Sequence, residues 1–295
     1  MSAVAESSVR MPETTAGRGY WAGVGARLLR DPVAMIALGV IILIVLLAVL
    51  APYIAPADPY KGSVLRRLKP IGFEGAVLGT DELGRDMLSR LIYGGRLTLF
   101  IGVMPVLLAF CIGSSIGVFA GYVGGRINTA VMRVIDAFFA FPSVLLAIAL
   151  SGALGAGILN SIVSLTVVFV PQIARVAEAV TTQIRTRDYV EAARVSGAGA
   201  FTIVRVHVLG NVLGPVLVYA TSLISVSMIL ASGLSFLGLG VKPPEAEWGL
   251  MLNTLRTAIY SQPALAALPG AMIFLTSISF NLFSDGLRSA MEVKQ

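Results

Sequence analysis

Asp188 and Glu191 stand three residues apart at the head of the stretch DYVEAARVSGAG, residues 188–199. That spacing is a helix-start signal, with Asp188 as N-cap and Glu191 closing a capping box. It predicts a two-turn helix over Tyr189–Ser196, stopped by Gly197 in a left-handed C-cap. Ala192, Ala193, Ser196 and Gly197 leave a patch of small residues against which a partner can pack, and Val190 is expected to insert into a partner's groove. The work such a segment offers is mechanical: it docks and transmits force. Its plain alternative is a lipid-surface helix linking two spans. Side chains that make or break bonds are scarce. His207 is the sole histidine, neither HExxH nor GxSxG occurs, and His207 reads as a solvated or interface residue rather than a base. Cys111 is the single cysteine, which excludes an intrachain disulfide framework and a multi-cysteine metal site. It reads as a small packing residue. No GxxxxGK[ST] and no Gly-Lys pair is present, so the chain does not cradle ATP phosphates in the usual way. No catalytic and no metal-ligating residue is assigned.

The elements that must position residues 188–199 are apolar. Of 295 residues, 56% are hydrophobic and 13% charged, and the mean hydropathy is +0.86. A soluble domain carries about 25% charged residues, so this is an all-α polytopic membrane protein. The net charge of +6 reflects lysine and arginine placed near anionic lipid rather than contact with nucleic acid. About 20 apolar residues cross the hydrocarbon core as a helix. Six runs qualify: Val33–Ala55, Leu97–Tyr122, Thr129–Leu154, Ile158–Val180, Val212–Gly238 and Leu265–Leu287. The first is longer than a signal-peptide core of about 7–15 residues and is read as a retained helix. The expected organisation is an N-terminal tail over 1–32, a first span and external loop over 33–96, and a five-span core over 97–290. Pro105, Pro142, Pro171 and Pro215 fall inside or at the ends of spans, which membrane bundles accept. Gly113, Gly117 and Gly121 share one helix face, so another helix can approach closely. That helix belongs either to this chain or to a neighbouring subunit.

Four spans precede Asp188, which puts it on the side of the N-terminus. With the N-terminus inside, thirteen of the lysines and arginines lie inside and nine outside. The direction fits cytoplasmic termini, although the external LRRLKP (65–70) is basic.

Several spaced motifs carry a family resemblance. EAARVSG (191–197) resembles the EAA-xxx-G motif of the permease subunits of ABC importers, and HVLGN (207–211) resembles its continuation, with Gly210 where proline is usual. LGTDELGRDMLSRLIYGGRLTL (78–99), LSFLGLGVKPPEAEWGLML (234–252) and FNLFSDGLR (280–288) resemble segments of the second permease subunit of the dipeptide, oligopeptide and nickel group. In the last, Ser284 stands for glycine and Ser289 for aspartate. The likeness runs from about residue 30 to 290. It implies a type I, MetI-like permease fold, and an ATP-driven importer of peptides in the cytoplasmic membrane. It also implies a second related permease, two cytoplasmic ATPase subunits that carry the ATP and magnesium, and an extracytoplasmic binding protein. The residues implied to meet the ATPase are Tyr189, Val190, Glu191, Ala192, Ala193 and Gly197. The rival is an ion-gradient-driven transporter, for which Asp136 is the nearest candidate proton site.

Single residues complete the expectations. Trp248 reads as an interfacial anchor. Asp285 and Arg288, three apart, read as a local ion pair. Asp81 and Asp86 in GTDELGRD read as caps or turn-stabilising groups.

Overall fold

The computed structural model describes residues 20–292; residues 1–19, with Arg10 and Arg18, and residues 293–295, with Lys294, lie outside the described residues. Twelve helices follow in order: α1 (Tyr20–Leu28), α2 (Pro32–Val49), α3 (Ala51–Ile54), α4 (Met87–Val123), α5 (Gly125–Phe139), α6 (Ser143–Leu154), α7 (Ile158–Arg185), α8 (Asp188–Val195), α9 (Ala200–Ile203), α10 (Leu209–Phe236), α11 (Trp248–Thr254) and α12 (Pro263–Met291). Five of the described helices are long and apolar enough to cross a membrane. The pair α5 and α6 passes the same test together.

Local chemistry sets the ends. Asp31 caps α2, its Oδ1 accepting the N–H groups of Val33 at 3.0 Å and Ala34 at 3.2 Å, and Pro32 follows at the first helical position. Asp86 caps α4 through the Ser89 N–H at 2.8 Å, and α4 stops at Gly124, whose φ of +70° few other residues adopt. The expected division between residues 96 and 97 therefore falls inside a continuous helix. The third expected span is also corrected. Thr129–Leu154 is not one rod: Pro142 removes a backbone donor and α5 meets α6 at 86°. Gly210 sits within the unbroken run Ala200–Phe236, reached through a wide π-turn over Val204–Val208.

The core forms where α4 crosses α7, with Ile101, Ala109, Leu165, Phe169, Ile173 and Ala177 fully buried. The glycine repeat makes that crossing. A Cβ at Gly117 would lie 2.3 Å from the Ala174 carbonyl, at Gly113 2.8 Å from that of Val170, and at Gly121 2.8 Å from that of Glu178. The face of Gly113, Gly117 and Gly121 is thus filled by this chain's own α7, and the reading as subunit packing is corrected to intramolecular packing.

A second buried cluster ties the loops at the opposite end of the bundle from α8. Arg90, 2% exposed, donates to the carbonyls of Pro59 at 2.9 Å and Glu245 at 3.1 Å, and pairs with Asp81 at 3.2 Å. Asp81 also holds Arg85 at 2.6 Å and accepts the N–H groups of Leu83 and Arg85. The turn-stabilising reading of Asp81 and the capping reading of Asp86 hold. Trp248 is corrected: it is 1% exposed, its Nε1 donates to the Leu91 carbonyl at 2.9 Å, and its ring lies on Gly94 and Gly95. A ring so enclosed does not anchor to a lipid headgroup. Glu247 caps α11, its carboxylate accepting the N–H groups of Gly249 at 2.8 Å and Leu250 at 2.7 Å. Burial pushes its carboxyl above the ordinary 4.5, opposed by those N–H groups and by the hydroxyls of Ser235 and Thr98.

Candidate docking helix

The chain leaves α7 at Arg185 and enters α8 three residues later. Arg187, not Asp188, occupies the N-cap position, and no side chain caps it. The capping box is therefore corrected: Asp188 and Glu191 both lie inside the first turn. There they act as negative charges near the positive end of the helix dipole. The other end is as expected. Gly197 has φ +83°, its N–H donates to the Arg194 carbonyl at 3.1 Å, and the Ala198 N–H reaches the Ala193 carbonyl at 3.1 Å. That pair of bonds is a Schellman cap, which satisfies carbonyls the helix end would leave free.

Three contacts fasten α8 to the bundle. Val190 is fully buried in this chain's own core with Ile184, Ile203 and Val208. The expectation that it inserts into a partner's groove is corrected: Val190 is the bolt, not the key. Ala193 is half-buried against the same core. Tyr189 lies with its ring centroid 6.2 Å from that of His207, and its hydroxyl accepts from Asn211 Nδ2 at 3.4 Å. The helix is thus held from α7 on one side and from the start of α10 on the other.

What α8 turns outward is Tyr189, Glu191, Ala192, Arg194, Val195 and Gly197. Beside it a cleft of about 890 Å³ runs between Gln183, Arg187, Asp188, Tyr189 and Asn211. Sequence reasoning missed Val195 and Phe201, which are 89% and 78% exposed. The available signal was an apolar residue on the polar face of a short helix. Two such side chains beside a small-residue helix give a surface whose apolar area a partner can cover.

The remaining charged candidates resolve as local pairs or stand alone. Asp136 on α5 pairs with Arg175 on α7, and Arg175 also lies over the Phe139 ring at 5.8 Å. Arg288 pairs with Glu292 at 3.5 Å rather than with Asp285, which corrects the expected i,i+3 pair.

Comparison with known proteins gives one family twice. The family model described as binding-protein-dependent transport system inner membrane component matches residues 113–293, and the N-terminal TM domain of oligopeptide transport permease C matches residues 19–70. The chain is similar to the glutathione transport system permease protein GsiD of Pectobacterium atrosepticum, 38% identical over 291 residues that cover 99% of this chain and 94% of that protein. It is 41% identical to the di/tripeptide transport system permease protein DppC of Pseudomonas aeruginosa over 260 residues, 86% of this chain and 85% of that one. It is 38% identical to the dipeptide transport system permease protein DppC of Haemophilus influenzae over 266 residues, 88% and 90% of the two chains.

Proposed function

The chain belongs to the family of binding-protein-dependent transport system inner membrane components, and from that premise we propose that it carries peptides as the permease subunit of an ATP-driven importer. It is a multi-pass inner-membrane protein, and its family sets aside the ion-gradient-driven alternative. The peptide cargo rests on the names of relatives that span nearly the whole chain.

The observation that carries the mechanism is α8. A helix capped at Gly197, bolted by Val190 and flanked by exposed Val195 and Phe201 is a stiff element with a cover-seeking face. On this reading α8 lies in the cytosol with both termini, a side favoured by the excess of lysine and arginine there. Tyr189, Glu191, Ala192 and Gly197, together with Val195 and Phe201, meet one of two ATPase subunits that hold ATP and magnesium. Closure of those subunits pulls α8, and Val190 passes the displacement to α7 and α10. A soft loop would absorb that stroke. A second related permease completes the channel, and an extracytoplasmic binding protein delivers the cargo to the loops locked by Arg90.

The test is reconstitution of the chain with its co-purifying subunits in proteoliposomes. Peptide uptake driven by ATP with all ion gradients collapsed supports the reading. Glu191→Lys is expected to leave the bundle folded and to lower the peptide taken up per ATP at least tenfold. Uptake that persists without ATP, or a Glu191→Lys complex coupled as well as the wild type, overturns it.

A further inference from the structure

One face of the bundle is not filled by this chain. Between α10 and α12 runs a groove whose outer part, about 560 Å³, is lined by Ser225, Ile229, Ser232, Phe274, Ser277 and Asn281, among others. Its inner part, about 480 Å³, lies among Tyr219, Ser222, Asp285, Arg288 and Glu292, with Val176 of α7 at its edge. The two cavities lie one helical turn apart. Ser222 and Ser225 are one turn apart on α10, as Asn281 and Asp285 are on α12. From Gly270 to Met291 the groove follows α12 for about 32 Å, close to the roughly 30 Å of a hydrocarbon core.

Along this groove Ser222, Ser225 and Ser284 bond to carbonyls of α10, but other polar groups beside it are unspent. Ser232 and Ser277 are 4% and 5% exposed, and neither hydroxyl has a partner. Gln172 on α7 makes only long contacts, accepting from the Tyr219 hydroxyl at 3.5 Å and donating to the Val168 carbonyl at 3.5 Å. Asp285 has no cationic partner among the described residues, because Arg288, one turn on, reaches Glu292 instead. Lipid tails or an apolar helix from another subunit would leave Asp285 unanswered, a costly arrangement for a carboxylate. Water and a solute with a cationic group would answer it.

We propose that the α10–α12 groove is this chain's wall of the transport path, and that Asp285 and Tyr219, with Gln172 behind Tyr219, form a station in it for the free ammonium and first amide of a peptide. The inference rests on the peptide-importer reading and names the side chains that meet the cargo. The inner end is lined by Asp285, Glu292 and Arg288; Arg288 pairs with Glu292, and Asp285 is left to attract a cation. The phenol of Tyr219 and the amide of Gln172 supply the donor and acceptor that a peptide bond requires. Above them, Ser225 and Asn281 are polar steps in a largely apolar passage.

The experiment uses the reconstituted complex with a Cys111→Ser background. A membrane-impermeant cationic thiol reagent is applied to Ser222→Cys and Ser277→Cys, and a free dipeptide is used for uptake. Both cysteines are expected to react during turnover. In the same vesicles Asp285→Asn is expected to lower dipeptide taken up per ATP at least tenfold, with Asp285→Glu recovering most of it. The proposal is overturned if the thiols react only with lipid-soluble reagents, if Ser277→Cys instead crosslinks to the second permease, or if Asp285→Asn keeps the wild-type ratio. If the Cys111→Ser complex carries no peptide but both introduced cysteines still react in their variants, the peptide station is defeated while the wall of the path stands.

Discussion

Gly197 offers a perturbation whose size follows from geometry alone. Its φ of +83° is a conformation that side-chain-bearing L-residues rarely take, yet a Cβ built on it meets nothing within 4 Å. Alanine there meets no clash, so its whole cost is conformational, about 1–2 kcal/mol. That is roughly a 5–30-fold loss in the population of the capped form, and with it the bonds from Gly197 to Arg194 and from Ala198 to Ala193. Asparagine is bulkier but tolerates the left-handed region, so it is expected to cost less than alanine. The assay is peptide uptake and ATP hydrolysis measured together in proteoliposomes, with thermal unfolding in detergent as the check on the bundle. The expected order of peptide carried per ATP is Gly, then Asn, then Ala, with the bundle's melting unchanged because residue 197 is exposed and outside the core. If asparagine is worse than alanine, size rather than backbone geometry matters. If neither alters the ratio, the cap has no part in coupling.

Two further outcomes concern stability. Gly117→Ala drives a methyl onto the Ala174 carbonyl and the Ala177 Cβ, which are 2.3 and 2.7 Å from the ideal position. It is expected to destabilise by about 1–3 kcal/mol, whereas Gly39→Ala, with nothing within 4 Å, is neutral or slightly stabilising; parallel melting curves in detergent decide it. Glu247 has a folded-state pKa raised by burial above its ordinary 4.5, so the folded protein keeps a proton that the unfolded chain releases. Stability contributed by this group is full below 4.5 and declines as pH rises from there toward the raised value. Glu247→Gln is expected to flatten that slope, read as melting temperature between about pH 4 and 8.

The sequence by itself determined that the chain lives in lipid, which five of its runs are long and apolar enough to cross it, and where the short polar helix lies. These properties follow from local rules. Apolar length sets a span, Gly197 stops a helix, and Asp86 starts one. Even so, a run such as Thr129–Leu154 has the composition of one rod, and only packing around Pro142 shows that it bends through 86°. What each side chain faces was decided by the tertiary structure. Val190 and Val195 have the same chemistry and sit five residues apart on α8, yet one is fully buried and the other 89% exposed. Helix periodicity sets them about 140° apart, but which of the two faces is covered is decided by where α7 and α10 place the helix. The glycine face of α4 announces a close neighbour but not which helix supplies it, because small residues permit contact without choosing a partner. Trp248 and Arg90 lie far apart in the chain and meet only through loops that the fold closes, so their burial was invisible beforehand. The α10–α12 groove is the same case: two ordinary stripes of residues enclose its cavities only when the helices are set side by side.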